Sequence, residues 1–131
     1  MRTGLIAYFS ALLIMAGMEL TWFSFTGEPV YQRTLGAILA DKVNYPAAVA
    51  FYLIYILGVV IFAIRPGVES GDWRTALVYG AMFGFFAYLT YNATNLSTLK
   101  GYSGTVALVD TLWGTAMGAA IAFLTIIVLG V

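Results

Sequence analysis

Apolar residues dominate four stretches of the chain, about Gly4 to Phe25, Ala47 to Ile64, Thr75 to Asn95 and Gly104 to Gly130, and polar residues gather near their ends. The hydrocarbon core of a bilayer is about 30 Å thick and takes about 20 helical residues to cross. All four stretches reach or approach that length. Backbone amides in hydrocarbon have no water to bond, so the pattern predicts four membrane-spanning α-helices, with antiparallel neighbours wherever the connection is short. The second is expected to open at Pro46, which suits a first helical turn, and to stop before Arg65-Pro66-Gly67. Ser97 to Ser103 reads as a tight turn around Gly101. The first connection, Thr26 to Tyr45, is longer. In it Tyr31, Leu35, Leu39 and Val43 recur about four apart while Arg33, Asp41 and Lys42 interrupt. A short helix lying on the membrane surface and an ordinary polar loop both account for that pattern.

Composition supports lipid as the main solvent. At 62% apolar, 9% charged and a mean hydropathy of +0.92, the 131 residues read as one transmembrane domain over 1–131. Formal net charge is zero and the six Lys and Arg are scattered, which excludes a nucleic-acid footprint. Without Cys or His there is no disulfide, thiol nucleophile, imidazole base or usual zinc or haem ligand. Two isolated acids also fall short of the oxygen set that Mg²⁺ or Ca²⁺ needs, so no metal is expected and any cofactor stays unidentified. The basic start resembles a secretory signal, but the apolar run is longer than a signal core and the sequence begins at Met1, so an uncleaved first span is expected. Arg2, Arg65 and Arg74 fall on one side of the membrane and Arg33, Lys42 and Lys100 on the other. The first set sits closer to the helix ends, which favours cytoplasmic termini.

Polar residues converge at one leaflet. Glu19 near the end of the first span, Tyr88, Tyr91, Asn92 and Asn95 near the end of the third, Lys100 in the turn and Asp110 early in the fourth all share it. Helical spacing puts Gly80, Gly84, Tyr88, Asn92 and Asn95 on one face, and Asp110, Gly114 and Gly118 on another. Both faces hold G-x-x-x-G, which lets lipid-embedded backbones approach closely, so folding back at the turn brings Asp110 level with Tyr88 to Asn92. Glycine relieving crowding among bulky neighbours is the plainer alternative. Each acid precedes a Trp by three residues, Glu19 with Trp22 and Asp110 with Trp113. Trp22 fits an interface anchor, while the indole N–H of the deeper Trp113 needs an acceptor such as Asp110 or Tyr88.

An intramembrane acid is unfavourable by about 2.5–3.5 kcal/mol at a helix centre and is usually retained for a reason. Three readings compete. The cluster ties helices together, with Lys100 as counter-charge to Asp110; or it receives the polar end of a lipid, quinone or pigment; or an oligomer relays protons or ions through Glu19 and Asp110. A partner complex docked on the lipid-facing surface goes with the first of these. An enzyme is least favoured, because neither acid has a recognisable nucleophile or metal beside it.

Glu19 with Trp22, Ala47-Ala48, Phe51-Tyr52, Pro66, the run from Tyr88 to Lys100 and Val109-Asp110 with Trp113-Gly114-Thr115 together resemble a family of small bacterial membrane proteins, the domain of unknown function 2177. The resemblance spans nearly the whole chain, and TNLSTLKG and DTLWGT are its specific parts. It implies four helices and a bacterial inner membrane, tilts the ligand question toward lipid-linked work, and brings no catalytic residue. The family pattern has Asp in place of Glu19, and Asp follows the tyrosine of its T-Y-D-L-T-N stretch where this chain has Asn92. An amide cannot titrate, so Asn92 is expected to bond rather than transfer protons.

Overall fold

The structure is a computed structural model that describes residues 2–39, 42 and 44–131. Four helices form a bundle: α1 (Arg2–Leu35), α2 (Tyr45–Ser70), α3 (Trp73–Thr98) and α4 (Gly104–Leu129), and no strand occurs among the described residues. α1, α2 and α4 are long and apolar enough to cross a membrane. At 26 residues α3 equals α4 in length, but its last turns are rich in Thr, Asn and Ser. Their hydroxyls fold back on the helix: Thr90 donates to the Phe86 carbonyl at 2.6 Å, and Ser97 and Thr98 donate to those of Ala93 and Thr94, each at 2.7 Å. That local bonding keeps these exposed hydroxyls satisfied without a partner from another helix.

Side-chain caps start three of the helices. Asn44 Oδ1 accepts from the Ala47 N–H at 3.2 Å, Asp72 Oδ1 from Arg74 at 2.9 Å, and Ser103 Oγ from Val106 at 3.2 Å. Only Gly71 and Asp72 link α2 to α3, and Gly71 makes the reversal in the left-handed region at φ 66°.

Two boundaries differ from the sequence expectation. α2 does not stop before Arg65-Pro66-Gly67 but continues to Ser70. The turn ahead of the proline, Val60–Ile64, is π-helical, with the Arg65 N–H reaching back to the Val60 carbonyl. This wider turn accommodates a residue that has no N–H to donate, so the helix persists. α1 likewise runs past Phe25: Gly27–Gln32, which includes Pro29, forms a second π-helical stretch, and Arg33–Leu35 returns to α-helix. Residues 27–35 therefore continue α1 instead of forming a separate surface helix. Leu39 lies exposed beyond it, and Asp41 and Val43 lie outside the described residues.

Interior packing follows helical spacing. Ala7, Ala11, Met15 and Glu19 step by four along α1, three apolar residues and then an acid on one buried face. The three apolar ones meet Ile56, Val59 and Ala63 of α2, Ala76 of α3, and Met117, Ile121, Ala122 and Ile126 of α4. Leu5, Phe9, Leu13 and Leu20 project outward from α1, as hydrocarbon surroundings permit.

Candidate functional site

Backbone contact between α3 and α4 sets the frame. Gly80 faces Gly118, Gly84 faces Gly114, and all four are buried. A Cβ on Gly84 would stand 2.9 Å from the Gly114 carbonyl carbon, and one on Gly80 2.8 Å from Ala122 Cβ. Neither approach leaves room for a side chain, so glycine is what lets these backbones touch. Tyr88 covers the outer end of this seam, its ring lying where a Cβ on Gly114 would go.

Beyond Tyr88 the face turns polar. Asp110, six residues after Gly104 and so about 9 Å along α4, is buried and has both carboxylate oxygens occupied. Asn92 donates from Nδ2 to Oδ2 at 2.8 Å, and the Tyr31 hydroxyl donates to Oδ1 at 2.6 Å. Asn92 Nδ2 also donates to the Tyr88 carbonyl at 2.9 Å, while its Oδ1 accepts from the Tyr102 hydroxyl at 2.8 Å. Tyr31 in turn accepts from Trp22 Nε1 at 3.1 Å. Trp22 stacks on Trp113, with centroids 4.3 Å apart and planes within 6°. Trp113 Nε1 donates to Glu19 Oε1 at 2.8 Å, and the Tyr52 hydroxyl donates to Oε2 at 3.1 Å. All four helices and the α3–α4 turn contribute to this one network.

The sequence-selected residues divide between network and surface. Glu19, Asn92, Asp110 and Trp113 sit in the network, and Tyr88 contributes its backbone carbonyl and its ring. Asn95 is half-buried beside the Tyr102 hydroxyl, Tyr91 is exposed, and Lys100 is exposed in the turn. Lys100 is not the counter-charge of Asp110: Arg65 with Glu69, at 2.9 Å, is the one ion pair among the described residues. An ammonium beyond the end of α3 keeps its hydration, and Asp110 receives neutral donors instead. Trp22 is a stacking partner more than an interface anchor. Tyr31, Tyr52 and Tyr102 escaped the sequence reading. Tyr31 falls within an apolar periodic pattern, and the need of Asp110, Glu19 and the Asn92 amide oxygen for neutral donors is the one signal that points to these three.

Outside the spans, burial pushes the Tyr102 phenol above its ordinary value, against a lowering by the Asn95 side chain. Among the described residues no group of three His, Cys, Asp or Glu side chains gathers to hold a metal ion. The ring of Tyr55 packs against those of Phe51, Phe83 and Tyr88, and its hydroxyl is buried without a partner among the described residues.

Two concavities open toward the lipid. A groove of about 490 Å³ between α1 and α4 is lined by Leu13, Ile14, Gly17, Met18, Thr21 and Trp113. A cleft of about 360 Å³ between α2 and α3 is lined by Phe62, Tyr79, Met82, Phe83 and Phe86. Trp113 joins the first to the polar network, since its indole both lines the groove and holds Glu19.

A family model described as "Predicted membrane protein (DUF2177)" matches residues 4–127. The chain belongs to that family. Neither a curated protein nor a solved structure matches it. DUF2177 membership and the geometry agree on a helical membrane protein, and the family carries no assigned activity.

Proposed function

We propose that this protein binds a hydrophobic, chain-bearing molecule in the groove between α1 and α4, with the polar network serving as the scaffold that holds the groove open. The supporting observation is Gly17. It lines the groove, and a Cβ built on it meets nothing within 4 Å, so the missing side chain creates space instead of relieving a clash. From Leu13 to Thr21 the groove follows eight residues of helix, about 12 Å, a length suited to a medium stretch of acyl chain. Its lining is almost wholly apolar, Thr21 supplies a hydroxyl oxygen at one end, and its volume falls in the range of ligand sites. The polar cluster itself is a poorer receptor, because both acids already have their carboxylate oxygens occupied.

Gly17→Leu tests the reading. A Cβ at this position meets nothing within 4 Å, so the side chain extends into the groove without a backbone clash and the variant should fold as the parent does. It should lose several-fold in retained lipid by native mass spectrometry and in labelling by a photoreactive fatty acid. Equal retention by the folded variant overturns the proposal.

A proton or ion path has less support. The chain of bonds passes through the Asn92 amide and the Trp22–Trp113 stack, neither of which takes up and releases protons. Docking on a larger complex, or a homo-oligomer, is the other competing reading, and the same native spectra would register the partner chain. We infer cytoplasmic termini from Arg2, Arg65 and Arg74, which lie at or near the ends of α1, α2 and α3 that share one side, and a bacterial inner membrane from the resemblance to small bacterial membrane proteins.

A further inference from the structure

Glu19 and Asp110 are both buried and neither meets a cation, since Arg65 with Glu69 is the one ion pair among the described residues. A buried charge without a counter-ion needs strong donors around it or gives way to the neutral form. The direction of the hydrogen bonds separates the two acids. At Asp110 every partner is a committed donor. The Tyr88 carbonyl, a pure acceptor, turns the Asn92 amide so that Nδ2 faces both it and Asp110 Oδ2. Tyr102 donates to Asn92 Oδ1 and holds the same orientation. Trp22 Nε1 is a donor only, so Tyr31 accepts from it and sends its own proton to Asp110 Oδ1. Each donor to Asp110 is thus itself the acceptor of a further N–H or O–H, which polarises it toward the acid. The 2.6 Å length of the Tyr31 bond falls in the range of an O–H donating to an ionised oxygen.

Glu19 is served differently. Trp113 Nε1 donates to Oε1, but Oε2 has only the Tyr52 hydroxyl, at 3.1 Å, longer than an ordinary O–H···O bond. No other hydrogen bond of Tyr52 occurs among the described residues, so nothing polarises its hydroxyl, and a phenol oxygen accepts as readily as it donates. The other titratable groups that face Glu19 are the phenols of Tyr55 on α2, Tyr88 on α3 and Tyr31 on the extension of α1, and the carboxyl of Asp110 on α4. None of them supplies positive charge.

We propose that the network holds a single negative charge, on Asp110, and that Glu19 is a proton-binding site that stays a neutral carboxylic acid at neutral pH. With the proton on Oε2 the contact with Tyr52 runs the other way, Glu19 donating and the phenol oxygen accepting, while Oε1 still accepts from Trp113. Tyr52 is only part-buried, so turning its own hydrogen aside costs less than a second unpaired charge in hydrocarbon. A proton on Asp110 would instead displace donors that have no other acceptor. The inference rests on the network alone and stands independently of the groove at Gly17.

The test is infrared spectroscopy of the protein in phosphatidylcholine nanodiscs at neutral pH. The parent should show the carbonyl stretch of a protonated carboxyl, above the amide band and shifted in deuterium oxide. Protein grown with glutamate carrying carbon-13 in its side-chain carboxyl should move that band, and protein grown with equally labelled aspartate should not, a readout that needs no variant. Glu19→Gln should remove the band, which singles out Glu19 from Glu28 and Glu69. Gln also mimics the neutral acid, with an oxygen for Trp113 and a donor for Tyr52, so its unfolding midpoint should stay closer to the parent's than that of Asp110→Asn. Absence of the band, a band that moves with labelled aspartate or survives Glu19→Gln, or a Glu19→Gln midpoint at or below that of Asp110→Asn each overturns the proposal.

Discussion

Asp110 gathers donors from positions far apart in the chain, Tyr31 on the extension of α1 and Asn92 on α3. Removing the carboxylate strands both of them in a poorly solvated place. Asp110→Ala should therefore lower stability by about 1–3 kcal/mol, read from the midpoint of denaturation in mixed micelles. Asp110→Asn keeps an oxygen for Tyr31 but turns an amide toward Asn92, so it should fall between alanine and the parent. Tyr55 predicts the opposite sign. Its buried hydroxyl has no partner, and Tyr55→Phe should raise the same midpoint by up to about 1 kcal/mol. At this scale the acids and Asn92 were legible, since polar groups inside apolar runs stand out by themselves. Tyr31, Tyr52 and Tyr102 were not, because a phenol reads as apolar until its neighbours are known. Lys100 departs from expectation for a related reason: opposite charge suggests a pair, but hydration competes, and neutral donors occupy both oxygens of Asp110.

Among the helices, the α3–α4 pair depends most strictly on residue size. Gly84→Val would push branched carbons into the Gly114 backbone, where no flexible side chain can give way. We expect a loss of about 3 kcal/mol or more, seen as an early transition in thermal unfolding. Gly104→Ala, which meets nothing within 4 Å, should behave like the parent and serves as the control. The seam could be read from spacing because glycines four apart on two consecutive helices have few other uses. Helix ends were harder. Pro66 suggested a stop to α2 and the loss of apolarity after Phe25 suggested an end to α1, yet a π-helical turn ahead of one proline and around the other carries each helix onward. Sequence periodicity assumes 3.6 residues per turn and has no term for a wider turn.

At the scale of the whole molecule, α1 has no polar face and α2 hardly one, so neither is oriented by amphipathicity. Orientation comes from what faces inward: small residues at Ala7 and Ala11, then an acid at Glu19 that only Trp113 and Tyr52 satisfy. Rotating α1 by a third of a turn would remove both bonds at once. The network thus specifies the arrangement more than it strengthens it.

The glycine seam also bears on how the fold is reached. Glycine has no rotamers to freeze, so bringing α3 against α4 forfeits no side-chain entropy along the line of contact. The turn between them is short, Leu99 to Ser103, so the two partners are neighbours along the chain. This hairpin can therefore zip together as soon as it enters lipid, giving a preassembled half onto which the earlier pair of helices docks.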